Sequence, residues 1–194
     1  MSTAHAGWVS PEEYLAAEHI AETKHEYLNG QVWATAGAVD RHVTITTNLA
    51  AALRPLLRGG PCRLYSTDMR IYPTAAAYFY PDVMVCCDER DRVNRLAKQY
   101  PALIIEVLSP GTERADRGKK ARAYRRSETL TEYALVATDR SSVELYRRES
   151  GFWVLRESGP GETIGLSSIG ATLDMAAVYE DVDWSGADEE EMAP

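Results

Sequence analysis

Two carboxylates in this 194-residue chain stand where apolar side chains are expected. Glu106 lies inside Ala102-Leu103-Ile104-Ile105-Glu106-Val107-Leu108, the most apolar run of the sequence. A run that is apolar on both faces is the pattern of a central strand covered on both sides. An ionised carboxylate in such a strand costs several kcal/mol unless a partner or a metal meets it. Asp82 follows Pro81 in Tyr80-Pro81-Asp82-Val83-Met84-Val85, a second apolar run. Pro-Asp alone usually marks a turn, and Pro81 removes one ladder hydrogen bond. The pairing gives it weight, because two neighbouring strands can point two carboxylates at one spot. Hard cations such as Mg²⁺ take oxygen ligands of this kind and keep water in the remaining positions. A metal so held lowers the pKa of water and offsets charge on a phosphoryl oxygen. The competing interpretation is a structural ion pair, which also occupies such sites.

A basic segment follows. Asp116, Lys120 and Tyr124 recur at intervals of four and so share one helix face. On a surface, Asp116 and Lys120 would make an ordinary ion pair worth about 0.3–0.5 kcal/mol. Alternatively, Lys120 reaches back over the strand end and neutralises charge or positions water. Lys119 points elsewhere on the helix and is the second candidate for that lysine. Between Glu113 and Arg126 there are seven bases and two acids. Arg114, Arg117 and Arg122 are therefore candidates for phosphate contacts, which position a duplex without reading its sequence.

The elements that must hold these residues are legible in outline. Ser10, Pro11 and Glu13 form an S-x-x-E helix start, with Val9 and Tyr14 placed as a hydrophobic staple, and the helix should run to about Thr23. Asn29-Gly30 between Tyr27-Leu28 and Gln31-Val32-Trp33 predicts a tight hairpin. A second helix fits Arg41 to about Arg58, kinked or shortened by Pro55. Strands are expected at Arg63–Ser66, Met69–Tyr72, Ala77–Cys86 and Ala102–Leu108. After the turn Ser109-Pro110-Gly111-Thr112, a helix should reach Arg126. Glu132–Ala137, Ser142–Arg147 and Phe152–Arg156 pair like a meander, and a short helix near Asp174–Tyr179 closes the chain. The fold class is α/β, a mixed sheet with helices on its faces.

Composition bounds the rest. An apolar share of 45% and a charged share of 26% suit one soluble globular domain. No run is long enough to span a bilayer, and Met1 to Gly7 lack the pattern of a secretory signal. A cytoplasmic protein is the expectation. Cys62, Cys86 and Cys87 lack metal-type spacing, and adjacent Cys86 and Cys87, inside an apolar stretch, are expected to be small core residues in a reducing compartment. The net charge of −8 is concentrated at one end, since Glu180 to Pro194 carries seven acids and no base. One domain over residues 1–180 and an acidic, disordered tail over 181–194 are expected. The near-neutral body, with its basic stretch, can meet DNA locally. A serine hydrolase is disfavoured, because no Gly-x-Ser-x-Gly elbow occurs.

Together, Tyr80-Pro81-Asp82-Val83, Ile105-Glu106-Val107-Leu108-Ser109-Pro110 and Asp116-x3-Lys120-x3-Tyr124 resemble the bacterial Uma-type restriction endonuclease family of the PD-(D/E)XK nuclease superfamily. The resemblance extends to Glu26-Tyr27-Leu28-Asn29-Gly30, His42 and Glu132-Tyr133-Ala134-Leu135-Val136, from about Ser10 to Tyr179. It implies a restriction-endonuclease-like mixed β-sheet core flanked by α-helices, and an endonuclease hydrolysing DNA phosphodiester bonds. Mg²⁺ would be the cofactor, with Mn²⁺ as substitute, and two copies would act as a homodimer. Asp82 and Glu106 would be catalytic metal ligands, joined by the Val107 backbone carbonyl, with Lys120 as the third catalytic group. Glu26 would be an extra acid and His42 a proton carrier or ligand. The general superfamily pattern puts the lysine two residues after the second acid, where this chain has Leu108. The family resembled moves it to the next helix, where Lys120 matches. A non-cleaving DNA- or protein-binding module on the same scaffold is the alternative. Retention of all three polar positions favours the enzyme.

Overall fold

In the computed structural model, which describes residues 7–35 and 37–185, the expected capping box forms. The Ser10 hydroxyl accepts from the Glu13 N–H, and the Glu13 carboxylate accepts from the Ser10 N–H at 2.8 Å. Helix α1 (Pro11–Ile20) follows and ends short of Thr23. Val9 packs against the cluster of Tyr14, Tyr27 and Tyr78. Strands β1 (His25–Leu28) and β2 (Gln31–Ala34) pair across Asn29-Gly30, whose φ values of 48° and 89° are the two positive angles of a type I′ turn. Helix α2 (Asp40–Leu56) contains Pro55 in its last turn, so the proline ends the helix rather than kinking its middle.

Strands β3 (Arg63–Ser66), β4 (Arg70–Thr74), β5 (Ala77–Phe79) and β6 (Val83–Cys86) come next, then a 3₁₀ turn at Glu89–Arg92, β7 (Ala97–Lys98) and β8 (Pro101–Val107). The basic segment is α3 (Glu113–Ala115), a π-turn (Asp116–Lys120) and α4 (Ala121–Tyr124). Strands β9 (Glu132–Val136), β10 (Val143–Glu149), β11 (Phe152–Ser158), β12 (Thr163–Leu166) and β13 (Ala171–Asp174) lead to α5 (Met175–Val178).

Six strands form the main sheet, in the order β11-β10-β9-β8-β6-β3, with β8 and β9 parallel and the other neighbours antiparallel. A second sheet runs β2-β1-β5-β4-β7, and β12 with β13 forms a separate hairpin. One face of the main sheet presents Val83, Val85, Leu103, Ile105 and Val107 to α2, α5 and the β12–β13 hairpin. Its other face presents Met84, Ile104, Tyr133 and Leu135 to Phe79, Ala121 and Tyr124. The period of two in β8 thus feeds two cores, and Glu106 belongs to the second face, beside Ile104.

Four expectations need correction. Ala77–Cys86 is two strands in two sheets, because the chain leaves the second sheet after Phe79 and enters the main sheet at Val83. Tyr80-Pro81-Asp82 is the crossing, where Pro81 needs no ladder donor. Cys62 and Cys87 are joined by a disulfide beside the Arg63–Cys86 strand pair, leaving Cys86 as a buried thiol. The hairpin of β12 and β13 falls where no strand was expected. The folded body also continues past residue 180, with Val182 buried in the first core and Trp184 against Tyr179. Residues 186–194 of the expected tail, and Met1–Ala6, lie outside the described residues. Among those described, no helix is long and apolar enough to cross a membrane.

Candidate active site

Strand register brings the two unusual acids together. Val83 pairs with Ile105 in the antiparallel β6–β8 ladder, so the next positions outward are Asp82 and Glu106. Residues directly opposite in such a ladder share a face. The Asp82 N–H donates to Glu106 Oε2 at 3.3 Å, and the Val107 N–H donates to Asp82 Oδ2 at 2.8 Å. The crossing between the sheets is therefore tied to the strand end that it feeds.

Three further elements converge. Lys120 comes from the π-turn, and its Nζ lies 2.8 Å from Glu106 Oε1, 3.1 Å from Glu26 Oε1 and 2.9 Å from Asp116 Oδ1. Glu26 arrives from β1, held by the Trp33 indole N–H at 3.1 Å and the Tyr80 N–H at 3.3 Å. His42 comes from the first turn of α2, with Nε2 3.3 Å from Asp82 Oδ2. Tyr124 from α4 donates its hydroxyl to Glu106 Oε1 at 2.7 Å. Glu26, Glu106, Asp116 and Lys120 are buried, whereas the Asp82 and His42 side chains keep 19% and 15% of their surface open. The outlet of the cluster is therefore at Asp82 and His42.

Charge in this cluster is unbalanced. Four carboxylates meet one lysine and one histidine. Burial pushes the Glu106 carboxyl well above the usual range; Lys120 opposes this, while Asp116, Asp82 and Glu26 add to it. Lys120 loses hydration too, but Glu106 and Glu26 outweigh that and hold it firmly as an ammonium. Burial also works against a charged His42, yet its bond to Asp82 and a further one to the Val107 backbone leave its pKa above the ordinary imidazole value. A pocket with more acid than base takes up either protons or a cation.

Its donors suit a hard cation. The outlet presents the Asp82 carboxylate and the His42 imidazole, and buried Asp116 Oδ1 has no well-aligned hydrogen-bond donor despite its ion pair with Lys120. Among the described residues, no group of three or more His, Cys, Asp or Glu side chains is arranged so that it could by itself hold a metal ion. Mg²⁺ does not require one, since it commonly binds through one or two carboxylates and retains water.

Five of the expected residues, Asp82, Glu106, Lys120, Glu26 and His42, are thus brought to one place. Lys119 is not; its Nζ sits 3.2 Å above the Trp33 ring centre. Arg117 differs from the expectation as well, because Glu113 and Glu144 hold its guanidinium at 2.6–2.8 Å. Arg114 and Arg122 are exposed on the same segment. The Asp116–Lys120 pair is not the surface contact its spacing suggests, since both side chains are buried over Glu106. The contribution of Tyr124 to Glu106, and those of Trp33 and Tyr80 to Glu26, were not read from the sequence. The recurrence at intervals of four and the Asp116-x3-Lys120-x3-Tyr124 block pointed to Tyr124, but neither gave its contact with Glu106.

Known proteins share this architecture. The solved structure titled a "putative nuclease belonging to DUF820", from Anabaena variabilis ATCC 29413, superposes with a TM-score of 0.72 over 88% of this chain and 97% of that one, at 16% identity. That likeness is one of fold, a restriction-endonuclease-like mixed sheet flanked by helices. The uncharacterized protein slr1290 of Synechocystis sp. (strain ATCC 27184 / PCC 6803 / Kazusa) is 36% identical over 88% of this chain and 91% of its own length. A second from the same organism, sll1609, is 34% identical over 75% of this chain and 84% of its own length. Residues 11–176, which include every site residue described above, match the family model "Uma2: Putative restriction endonuclease", and the chain belongs to that family.

Proposed function

We propose that the chain is a metal-dependent endonuclease that hydrolyses DNA phosphodiester bonds at the Asp82–Glu106 strand end. The observation that carries this is the β6–β8 register, which sets two carboxylates side by side under a buried lysine. Asp82, Glu106 and the Val107 carbonyl would hold Mg²⁺, which supplies a lowered water pKa and charge stabilisation at the phosphoryl oxygen.

The chain's own residues divide the remaining work. Lys120 cannot serve as a general base, because three carboxylates keep it protonated. Its part is electrostatic: it offsets the acids so that they can remain gathered. His42 stands at the open side against Asp82, where its imidazole can hold or pass a proton at Nε2. Glu26 and Asp116, both buried, hold the same ammonium at 3.1 and 2.9 Å. Arg114 and Arg122 are exposed and can take up phosphates; Arg117, committed to two glutamates, is left out of that role.

Cleavage of plasmid DNA, branched DNA and RNA with Mg²⁺, Mn²⁺ or EDTA tests this reading, with Asp82→Ala, Glu106→Ala and Lys120→Ala beside the wild type. Metal-dependent DNA cleavage that disappears in all three variants is the expected result. Folded wild type that takes up Mn²⁺ yet cuts none of these substrates would keep the site and reject the substrate; no Mn²⁺ uptake and no cutting would point to a binding module instead.

A further inference from the structure

The two oxygens of Glu106 are treated differently. Oε1 receives the Tyr124 hydroxyl at 2.7 Å and the Lys120 ammonium at 2.8 Å. Among the described residues, Oε2 receives only the Asp82 N–H, at 3.3 Å. One oxygen thus carries the Tyr124 hydrogen bond and the Lys120 ion pair, and the other is left turned toward Asp82. A carboxylate with rotational freedom would lose this bias. The Tyr124 ring cannot swing away, because it packs against Phe79 and Tyr133 and is fully buried.

The helix that supplies both donors is shaped for the task. In a regular α-helix, four residues overshoot a full turn by about 40°, so three residues at successive intervals of four fan across the surface. The wider i→i+5 winding of a π-turn undershoots instead. Asp116–Lys120 is wound as π and Ala121–Tyr124 as α, so the undershoot and the overshoot offset each other. Asp116, Lys120 and Tyr124 consequently face one line above Glu106. The π-turn is fastened from the sheet, where the Tyr133 hydroxyl donates to the Asp116 carbonyl at 3.0 Å. Asp116 in turn holds Lys120 at 2.9 Å.

We propose that Tyr124 and Asp116 are positioning residues: Tyr124, with Lys120, makes Glu106 a one-oxygen ligand presenting Oε2, and Asp116 sets where the Lys120 ammonium stands. This deepens the nuclease reading and rests on it for its purpose, but the arrangement itself can be measured without any cleavage. Neither residue need touch substrate or metal.

The test uses the full chain with ¹⁵N-labelled lysine, of which the sequence has four. Buried and ion-paired with three carboxylates, the Lys120 ammonium should give a side-chain signal protected from exchange with water. Tyr124→Phe, which keeps the ring and its packing, and Asp116→Asn should each shift that signal and speed its exchange. Both should weaken Mn²⁺ binding, measured by calorimetry, by about 10- to 100-fold, the usual effect of removing a partner that orients a ligand. Where cleavage is seen, kcat should fall with KM little changed. Asp116→Glu should recover part of the loss, which a merely structural role would not allow. An unchanged Lys120 signal and unchanged Mn²⁺ affinity in Tyr124→Phe would overturn the proposal, whether or not the wild type cuts DNA. If the wild type cuts nothing while the Lys120 signal still responds to both variants, the nuclease reading fails and the positioning roles stand. Should Asp116→Asn not fold, Tyr124→Phe alone decides.

Discussion

Glu106 and Glu132 are both buried glutamates on adjacent strands of one sheet, and their surroundings assign them opposite duties. Glu132 accepts from the Ser167 and Ser168 N–H groups, from both serine hydroxyls and from Arg147 at 2.7 Å. Burial opposes its charge, but those donors win and its pKa falls below the ordinary value. Its charge clamps the loop after β12 to the main sheet. Glu106 has fewer donors and three acids nearby, and its pKa moves the other way. Glu132→Gln should therefore lower stability at pH 7 by about 3 kcal/mol. Because the folded pKa is depressed, that contribution is present above the unfolded value of 4.5 and fades as pH falls through the folded one. Denaturant melts of variant and wild type should accordingly converge in acid; a constant gap would mean that packing, not charge, is lost. Glu106→Gln should leave the melting temperature unchanged or raised, since it relieves like-charge crowding, while abolishing Mn²⁺ binding. A large drop in stability there would mark Glu106 as structural.

At the scale of elements, local signals were readable and choices of neighbour were not. The capping box at Ser10, the Asn29-Gly30 turn and the apolar run of β8 each follow from a few adjacent residues. Gly30 shows how strict such a position is: at φ 89°, a Cβ would also sit 2.1 Å from the Trp8 ring. Gly30→Ala should cost about 1–3 kcal/mol in a thermal or chemical melt, and a neutral result would show that the hairpin can change its turn. The break of Ala77–Cys86 into two sheets was hidden, because apolar residues continue on both sides of Pro81 and nothing local tells a chain which sheet it enters. The same holds for Cys62 and Cys87, whose pairing depends on β3–β6 register rather than on spacing. With a sequence separation of 25, the bridge should contribute about 3 kcal/mol, so Cys62→Ser or a dithiol reductant should lower the unfolding midpoint. No change would mean that the bridge is not formed in solution. In the site, the two acids were legible from their apolar settings, whereas Asp116 was ambiguous. An acid four residues before a lysine looks like a surface pair until Glu26 and Glu106 are seen beneath it.

For the whole molecule, electrostatics separates binding from chemistry. The net charge of −8 would oppose a polyanion, but many of the acids lie toward the C-terminus and others in the buried cluster. Exposed Arg114 and Arg122 lie on the segment that supplies Lys120 and are the proposed phosphate contacts. Replacing both with alanine should weaken DNA binding alike across sequences and reduce its salt slope by roughly 2. An unchanged slope would place the DNA on another face. The account rests most heavily on Glu106 acting in chemistry rather than in folding or DNA affinity. Its most direct test is single-turnover cleavage of plasmid DNA in Mg²⁺ by wild type and Glu106→Gln, with DNA affinity measured in parallel. Retained folding and DNA affinity with cleavage lost is the predicted result; cleavage by Glu106→Gln at the wild-type rate would contradict it.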